Sequence, residues 1–291
     1  EDGIRDVERS RGLGDVYKRQ ILRPNHLEVS MTTGSEMSGL PEELKTLVNE
    51  PVNRIEICSD FAELHQKLMW EGIWPTLVLD NDLRILTTIS TQCVNGQDFG
   101  LQDHIRIGLS VGMSPRKIKG IFVQLLFYVG IPATVFGLLE AQKVIDSNQE
   151  WKSMDAHIEE NWLNALDKKL NQSKRTITKH WGAYANLEIE NSLAREMVPE
   201  AADIVDGYNF GEIWTHSDLD PRERMVCILA SLVARGHMDL FAKYTRYALN
   251  MGFSSREICE VVVLAGWYRG WPFVEDALSA IYTILPEQAY L

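Results

Sequence analysis

Cysteine is scarce in this sequence of 291 residues, and no Cys-x-x-Cys motif is present. The four cysteines are Cys58, Cys93, Cys227 and Cys259. Scattered cysteines of this kind are typical of buried thiols in a reducing compartment, and they argue against a disulfide framework, a zinc site and a dithiol redox centre. We therefore expect a cytoplasmic protein.

Basic residues are also few, since the sequence contains 29 lysines and arginines but 41 aspartates and glutamates. Its net charge is -12. Binding to a polyanion requires clustered cations that neutralise phosphate groups. Nucleic acid is therefore not an expected partner. A small anionic substrate is compatible with this charge, since a pocket needs only one or two well-placed cations.

The sequence shows no clear membrane span, no strand pattern and no metal-ligand spacing such as His-Glu-x-x-His. Residues 120–139 are uncharged and long enough to cross a bilayer. However, Gly130-Ile131-Pro132 interrupts this run, and the corresponding later segment carries Arg269, Glu275 and Asp276. We expect a buried helix, a break and a second helix, with neither a membrane nor a metal as partner.

The most informative feature present is a repeat: the stretch from Ile73 to Leu138 aligns without a gap to the stretch 140 residues later. Identical pairs include Ile73/Ile213, Trp74/Trp214, Asp80/Asp220, Arg84/Arg224, Gly112/Gly252, Ser114/Ser254, Tyr128/Tyr268, Gly130/Gly270 and Pro132/Pro272. A period this long indicates two domain-sized units rather than a solenoid. Residues kept in both copies are expected to serve the fold, whereas differences show where one copy alone does chemistry.

Each copy predicts four helices, with a break before the last. In the second copy Asp220-Pro221 supplies an N-cap and a proline at the first helical position, and Gly236 ends that helix. The next helix is expected from His237 to Asn250, and Ser254 opens a capping box for the third. The fourth helix is expected from Ala133 to about Asp146 in the first copy and from Phe273 to Leu285 in the second. The predicted fold is an all-α, duplicated helical bundle.

These patterns divide the chain into three parts. Residues 1–35 are charged and aperiodic, and we expect a leader that is non-native or disordered. Residues 36–146 form the first helical domain. Residues 147–291 form the second, which begins with a helical arm rich in tryptophan and tyrosine.

The segment from His104 to Ile118, followed by Gln124-x-x-x-Tyr128-x-Gly130-x-Pro132-Ala133, resembles the carboxymuconolactone decarboxylase family. In the second copy, Tyr208-x-x-Gly211-Glu212-Ile213-Trp214 is similar to the same family. The resemblance implies all-helical subunits of the alkylhydroperoxidase D type that assemble as trimers or hexamers. Because this chain contains two such units, we expect a homotrimer that recreates a six-unit ring, with a homodimer as the alternative.

The peroxidase branch of the same superfamily carries Cys-x-x-Cys-x-x-x-His. Aligned on His104, those cysteines fall at Gln97 and Gly100, and in the second copy at His237 and Leu240. Without a thiolate pair there is no peroxidatic and resolving couple. A thiol peroxidase is therefore disfavoured.

The resemblance implies a decarboxylase, a lyase of aromatic compound catabolism, that acts on a small carboxylated lactone without a cofactor. His104 would transfer the proton, and Gln124 with Tyr128 would bind the oxyanion or orient His104. The candidate substrate-binding residues are Arg84, Trp74, Tyr244, Tyr268, Arg269 and Trp214. No cofactor is expected, because the lactone carbonyl itself accepts the electrons that decarboxylation leaves behind.

Several alternatives stay open. Tyr128 is identical in both copies and equally fits a fold residue, and the persistence of Arg84 favours a structural ion pair. The second copy has Tyr244 in place of His104 and Leu264 in place of Gln124, so we expect the decarboxylase-like site in the first copy only. Other possible functions are a hydrolase or isomerase on the same scaffold, and a catalytically silent protein in which the duplication only builds an oligomer.

Overall fold

The computed structural model describes residues 58–96, 98–155 and 163–285. The expected leader, residues 1–35, lies outside the described residues, as do Gln97 and Trp162. The first repeat contains α1 Ser59–His65, a π-helix Gln66–Ile73, a 3-10 turn Trp74–Thr76, α2 Asn81–Asn95, α3 Asp98–Ser110, α4 Pro115–Val129 and α5 Ile131–Asp146. The connecting arm contains α6 Gln149–Met154, α7 Leu166–Trp181, α8 Ala183–Glu190 and α9 Leu193–Met197. The second repeat contains α10 Pro199–Gly211, a 3-10 turn Ile213–Thr215, α11 Pro221–Arg235, α12 Met238–Asn250, α13 Ser255–Arg269 and α14 Trp271–Ile281.

The predicted all-α, duplicated architecture is confirmed, since the described ranges contain helices and no strand and the same four helices recur at the offset of 140 residues. Helices α2 to α5 correspond to α11 to α14. The predicted N-cap at Asp220 and the predicted capping box at Ser254 are both formed, and Asp220 also forms a capping box, with Glu223 and Glu257 returning a hydrogen bond to the capping backbone. Local sequence signals therefore placed most helix starts correctly.

The fourth helix of each repeat begins two residues earlier than predicted, at Ile131 and Trp271. Proline is tolerated in the first helical turn, where its missing N–H group has no intrahelical partner to lose, so the break lies before the proline. Gly130 supplies the turn with φ of +87°, a conformation that side-chain-bearing residues rarely adopt. Helix α14 also ends at Ile281 rather than at Leu285.

The core forms where the two repeats meet. Every residue of α2 from Leu83 to Cys93 is buried, as is every residue of α11 from Glu223 to Ala234. These two equivalent helices pack against each other, and α13 packs on α2 while α4 packs on α11. Each repeat therefore contributes its most completely buried helix to the interface with the other repeat, and burial of apolar surface there is the main stabilising contribution.

A buried carboxylate also joins the repeats. Glu260 on α13 accepts hydrogen bonds from the backbone N–H groups of Val78 and Leu79, at 2.7 and 2.9 Å, just before α2 begins. The equivalent position in the first repeat is Gly120, where an added Cβ would lie 2.4 Å from the Asp218 carboxylate. The two halves of the interface are thus built from equivalent helices, but their polar contacts differ.

The arm packs against the second repeat. Trp181, the last residue of α7, is 2% exposed and stacks on Tyr247 with ring centroids 4.8 Å apart and an interplanar angle of 6°. Lys169 on the same helix forms a buried ion pair with Glu212. No helix in the described part of the chain is long and apolar enough to cross a membrane.

Candidate functional site

His104 lies on α3 and is buried, with 8% of its surface exposed. Its Nδ1 atom is 2.9 Å from the carbonyl oxygen of Gly100 and 3.1 Å from the side-chain nitrogen of Gln92, while its Nε2 atom is 3.1 Å from the hydroxyl of Tyr268. A carbonyl oxygen can only accept, so Nδ1 carries the proton and Nε2 accepts from the phenol. The imidazole is therefore held from both sides in one tautomer.

Burial sets the protonation state of this pair. It lowers the pKa of His104, and the charge of the nearby His65 lowers it further, while the Gly100 carbonyl and Asp103 oppose the shift only in part. Burial also raises the pKa of Tyr268, so its hydroxyl keeps its proton. At neutral pH the site thus contains a neutral imidazole and a neutral phenol.

Tyr268 reaches His104 from α13 of the other repeat, and the two rings meet edge to face with centroids 5.3 Å apart and an interplanar angle of 83°. The repeat-equivalent pair is Tyr244 and Tyr128, whose centroids are 5.6 Å apart at 82° and whose hydroxyls are 2.9 Å apart. The duplication therefore builds two related sites, and each one takes its tyrosine from the opposite repeat.

Gln124 does not orient His104, which corrects one of the roles expected for it. Its Oε1 atom instead accepts a hydrogen bond from Nη1 of Arg224 at 2.8 Å, in a region where Gln124 has no exposed surface. The reason is that Gln124 lies on α4, which packs against the helix that carries Arg224, whereas His104 lies beside α2 and α13. Gln92, on α2, lies beside the imidazole instead, with its side-chain nitrogen 3.1 Å from Nδ1, although it cannot donate there because Nδ1 carries the proton that Gly100 accepts.

Tyr128 was expected to act together with His104, and the structure places it in the other site. Its hydroxyl interacts with Tyr244 and accepts a hydrogen bond from Nδ2 of Asn209 at 3.2 Å. Because α4 faces the second repeat, Tyr128 completes the site of that repeat. The candidate substrate-binding residue Tyr268 is the one that contacts His104.

Arg84 and Trp74 are part of the core rather than of an open pocket. The guanidinium of Arg84 donates to the carbonyl oxygens of Leu79, Trp74 and Leu77 at 2.6, 3.0 and 2.7 Å. Trp74 is 1% exposed. These contacts fix the turn that leads into α2, so Arg84 has a structural role, which rests on backbone carbonyl groups rather than on the ion pair that its repetition favoured.

The two remaining substrate-binding candidates differ in exposure. Trp214 is buried and contacts the ring of Trp181 edge to face at 5.0 Å. Arg269 is exposed, although its Nε donates to the carbonyl of Ala234 at 2.9 Å and its guanidinium lies 4.5 Å from the ring of Phe273. Of the predicted arginines, Arg269 is therefore the one with an accessible cation.

Sequence reasoning missed two residues near the imidazole, Gln92 and His65. Comparison of the repeats could have identified Gln92, because its equivalent in the second repeat is Leu232. Gln124 was singled out by the same replacement of a glutamine by a leucine. His65 had no such signal, since a lone histidine on an amphipathic helix is usually structural. Among the described residues, no group of three or more His, Cys, Asp and Glu side chains could hold a metal ion.

A cavity of about 590 Å³ adjoins the second site. It is lined by the Tyr128 and Tyr244 pair, by Asn209, and by His237 and Leu240, the positions that align with the cysteines of the peroxidase branch. The cavity therefore lies at the repeat-equivalent of the His104 site, but with phenols in place of the imidazole.

Comparison with known proteins identifies the family of this chain. The model of the carboxymuconolactone decarboxylase family matches it twice, at residues 59–143 and 199–282. No curated protein matches the chain. The two matched regions cover more than half of the sequence and coincide with the two structural repeats, so this protein belongs to the carboxymuconolactone decarboxylase family and contains two of its domains in tandem.

Proposed function

We propose that this protein is an enzyme that uses His104 and Tyr268 for cofactor-independent acid/base chemistry, and that its reaction is the decarboxylation of a small carboxylated lactone. The observation that carries the proposal is the 3.1 Å contact between Nε2 of His104 and the Tyr268 hydroxyl, in a buried site with a fixed tautomer. Family membership supports the class of substrate, since carboxylated lactones are the compounds for which the family is named.

The chemistry needs two contributions from the protein. When the carboxylate leaves as carbon dioxide, its bonding electron pair moves through the ring double bond to the lactone carbonyl, and the oxyanion that forms needs a hydrogen-bond donor. Tyr268 has such a donor, because burial keeps its hydroxyl protonated. The reaction consumes one proton, which must reach the ring carbon.

His104 suits delivery of that proton. When the Tyr268 hydroxyl turns from Nε2 to the substrate carbonyl, Nε2 can take up one proton from solvent, which the negative charge of the bound substrate favours. Burial lowers the pKa of His104, so the imidazolium that forms gives this proton readily to the carbanionic carbon and returns to its neutral form. The Gly100 carbonyl, which accepts from Nδ1, holds the ring in place during this exchange.

The cation for the substrate carboxylate is Arg269 in this proposal. Arg84 donates to three carbonyl groups, and Arg224 donates to Gln124 and Asp218, so both guanidinium groups are engaged within the chain. Arg269 is exposed, and a neighbouring chain of the expected homotrimer would place it beside another site. A homodimer is the alternative assembly.

The test is an assay of the purified chain with 4-carboxymuconolactone, in which carbon dioxide release and loss of the lactone are both followed. We expect His104→Gln to lower kcat by about 10²-fold or more, as loss of a general acid does. Tyr268→Phe should lower it as well, while Tyr184→Phe, at a tyrosine that is 71% exposed, should not. Full activity of His104→Gln would place the reaction elsewhere.

The same assay separates the alternatives. A hydrolase or isomerase would consume a lactone without releasing carbon dioxide and would still depend on His104. A catalytically silent protein would turn over neither 4-carboxymuconolactone nor related lactones and keto acids.

A further inference from the structure

The cavity beside Tyr244 has walls that suit an aromatic ring. Three tyrosines and two phenylalanines line it: Tyr128, Tyr244, Tyr247, Phe127 and Phe210. Its volume of about 590 Å³ lies within the range of small-molecule pockets. Both repeats and the arm contribute to the wall, so the cavity exists only because the tandem chain folds as a unit.

One buried polar group in this cavity lacks a partner. Asn209 is 3% exposed, and its Nδ2 atom donates to the Tyr128 hydroxyl. Its Oδ1 atom has no hydrogen-bond partner among the described residues. A buried acceptor without a donor is unfavourable, so a ligand with a hydroxyl group would be stabilised here.

The cavity also offers a cation. Lys243 on α12 is partly buried and forms no ion pair within 4 Å with a carboxylate of the described chain, although Glu188 and Asp206 act on it at longer range. Its ammonium group lies 5.8 Å from the centroid of the Tyr247 ring, which attracts a cation but carries no full negative charge, and burial lowers the pKa of Lys243. A ligand carboxylate would supply the missing charge.

The acidic residues that line the cavity do not cancel its preference for a ligand with a carboxylate group. Asp206 forms an ion pair with Arg195, which occupies its carboxylate. Asp239 is exposed in the first turn of α12, where water and the helix N-terminus both stabilise its charge. Lys243 is thus left as the charged group available to a ligand inside the cavity.

We propose that the second repeat holds a binding site for a small aromatic carboxylate that carries a hydroxyl group. Its ring contacts Tyr128 and Tyr244, its hydroxyl donates to Oδ1 of Asn209, and its carboxylate pairs with Lys243. The site is separate from His104, because its tyrosine pair belongs to the opposite half of the repeat interface. It therefore goes beyond the proposed reaction, and the replacement of the histidine by Tyr244 makes it a binding site rather than a second copy of the catalytic pair.

The test is isothermal titration calorimetry of the full chain with 4-hydroxybenzoate, and with benzoate and phenol as probes that lack one of the two polar groups. We expect 4-hydroxybenzoate to bind at least fivefold more tightly than either of the other probes. Lys243→Met should weaken its binding about tenfold, as loss of a charged partner does. Lys179→Met, at an exposed lysine outside the cavity, is the matched control and should bind as the parent chain does.

A second variant keeps the test decisive if Lys243→Met folds poorly. Leu240 is 40% exposed at the cavity, so Leu240→Trp should fill the mouth without disturbing the core and should abolish binding. His104→Gln should bind 4-hydroxybenzoate normally, which separates this site from the proposed reaction. Equal affinity for the three probes, equal binding by the Lys243→Met and Lys179→Met variants, or no binding of 4-hydroxybenzoate at about 5 mM would overturn the proposal.

Discussion

The hydroxyl of Tyr268 lies 3.1 Å from Nε2 of His104, and the two residues belong to different repeats of one chain. The histidine that marks the first repeat therefore depends on the second repeat for one of its hydrogen bonds. The reciprocal contact, Tyr128 with Tyr244, has nearly the same ring geometry. Duplication and fusion have placed two formerly equivalent sites in one molecule, where each has diverged by itself.

The contact with Tyr268 should help to set the acidity of His104. The O–H group of Tyr268 donates a hydrogen bond to the neutral imidazole and so stabilises the neutral form of His104. The Tyr268→Phe substitution removes this bond and should raise the pKa of His104 toward its usual value. A neutral hydrogen bond contributes about 0.5–1.5 kcal/mol, which corresponds to about half to one pKa unit. The measurement is an NMR titration of the His104 ring resonances, with Tyr128→Phe as the repeat-equivalent control that should leave them unchanged. A shift of equal size in both variants would contradict a direct contact.

Gln124 should matter for stability rather than for the acidity of His104. In Gln124→Leu, which introduces the residue of the second repeat, Arg224 loses a buried acceptor, and we expect the free energy of unfolding to fall by about 1–3 kcal/mol. Urea denaturation measures this change, and Gln149→Leu, at an exposed glutamine, is the control. The His104 resonances should titrate as in the parent chain, and a shifted titration would restore the orienting role first expected for Gln124.

His104 should make stability fall as the pH is lowered. The folded state holds His104 with a lowered pKa, so below about pH 6.5 the unfolded chain binds a proton that the folded chain does not. The free energy of unfolding of the parent chain minus that of His104→Gln should therefore decrease as the pH falls from about 7.5 to about 5.5. Contributions from histidines that do not interact with His104 cancel in this difference. A difference that is flat or grows toward low pH would show that His104 is not held neutral.

The thiols should react at very different rates. Burial raises the pKa of Cys93 and of Cys227 to about 12, and it also raises that of the half-buried Cys259, whereas Cys58 is exposed. Only a thiolate attacks a disulfide reagent rapidly, so Cys58 should be labelled first and Cys93 and Cys227 only on unfolding. Kinetics with a chromogenic disulfide at pH near 8 measure this order, and Cys58→Ser should remove the fast phase. Rapid labelling of Cys93 or Cys227 in the folded protein would reopen the question of thiol chemistry.

The sequence by itself determined the duplicated all-α fold and most helix limits. The pairs Asp220 with Glu223 and Ser254 with Glu257, each three residues apart, mark the starts of two helices, and Gly236 marks the end of the first of them. Such signals act over one turn of helix, so they can be read from the chain without knowledge of its packing.

Only the tertiary structure decided which side chains meet. Helical periodicity predicts that Gln124 and Tyr128 share one face of α4, but it did not reveal that this face meets the second repeat instead of His104. The partners of His104, Gln124 and Tyr128 that matter most are 164, 100 and 116 residues away along the chain. Spacing along a helix fixes the face on which a side chain lies, whereas the helix opposite that face is chosen by burial of apolar surface across the whole interface of the two repeats.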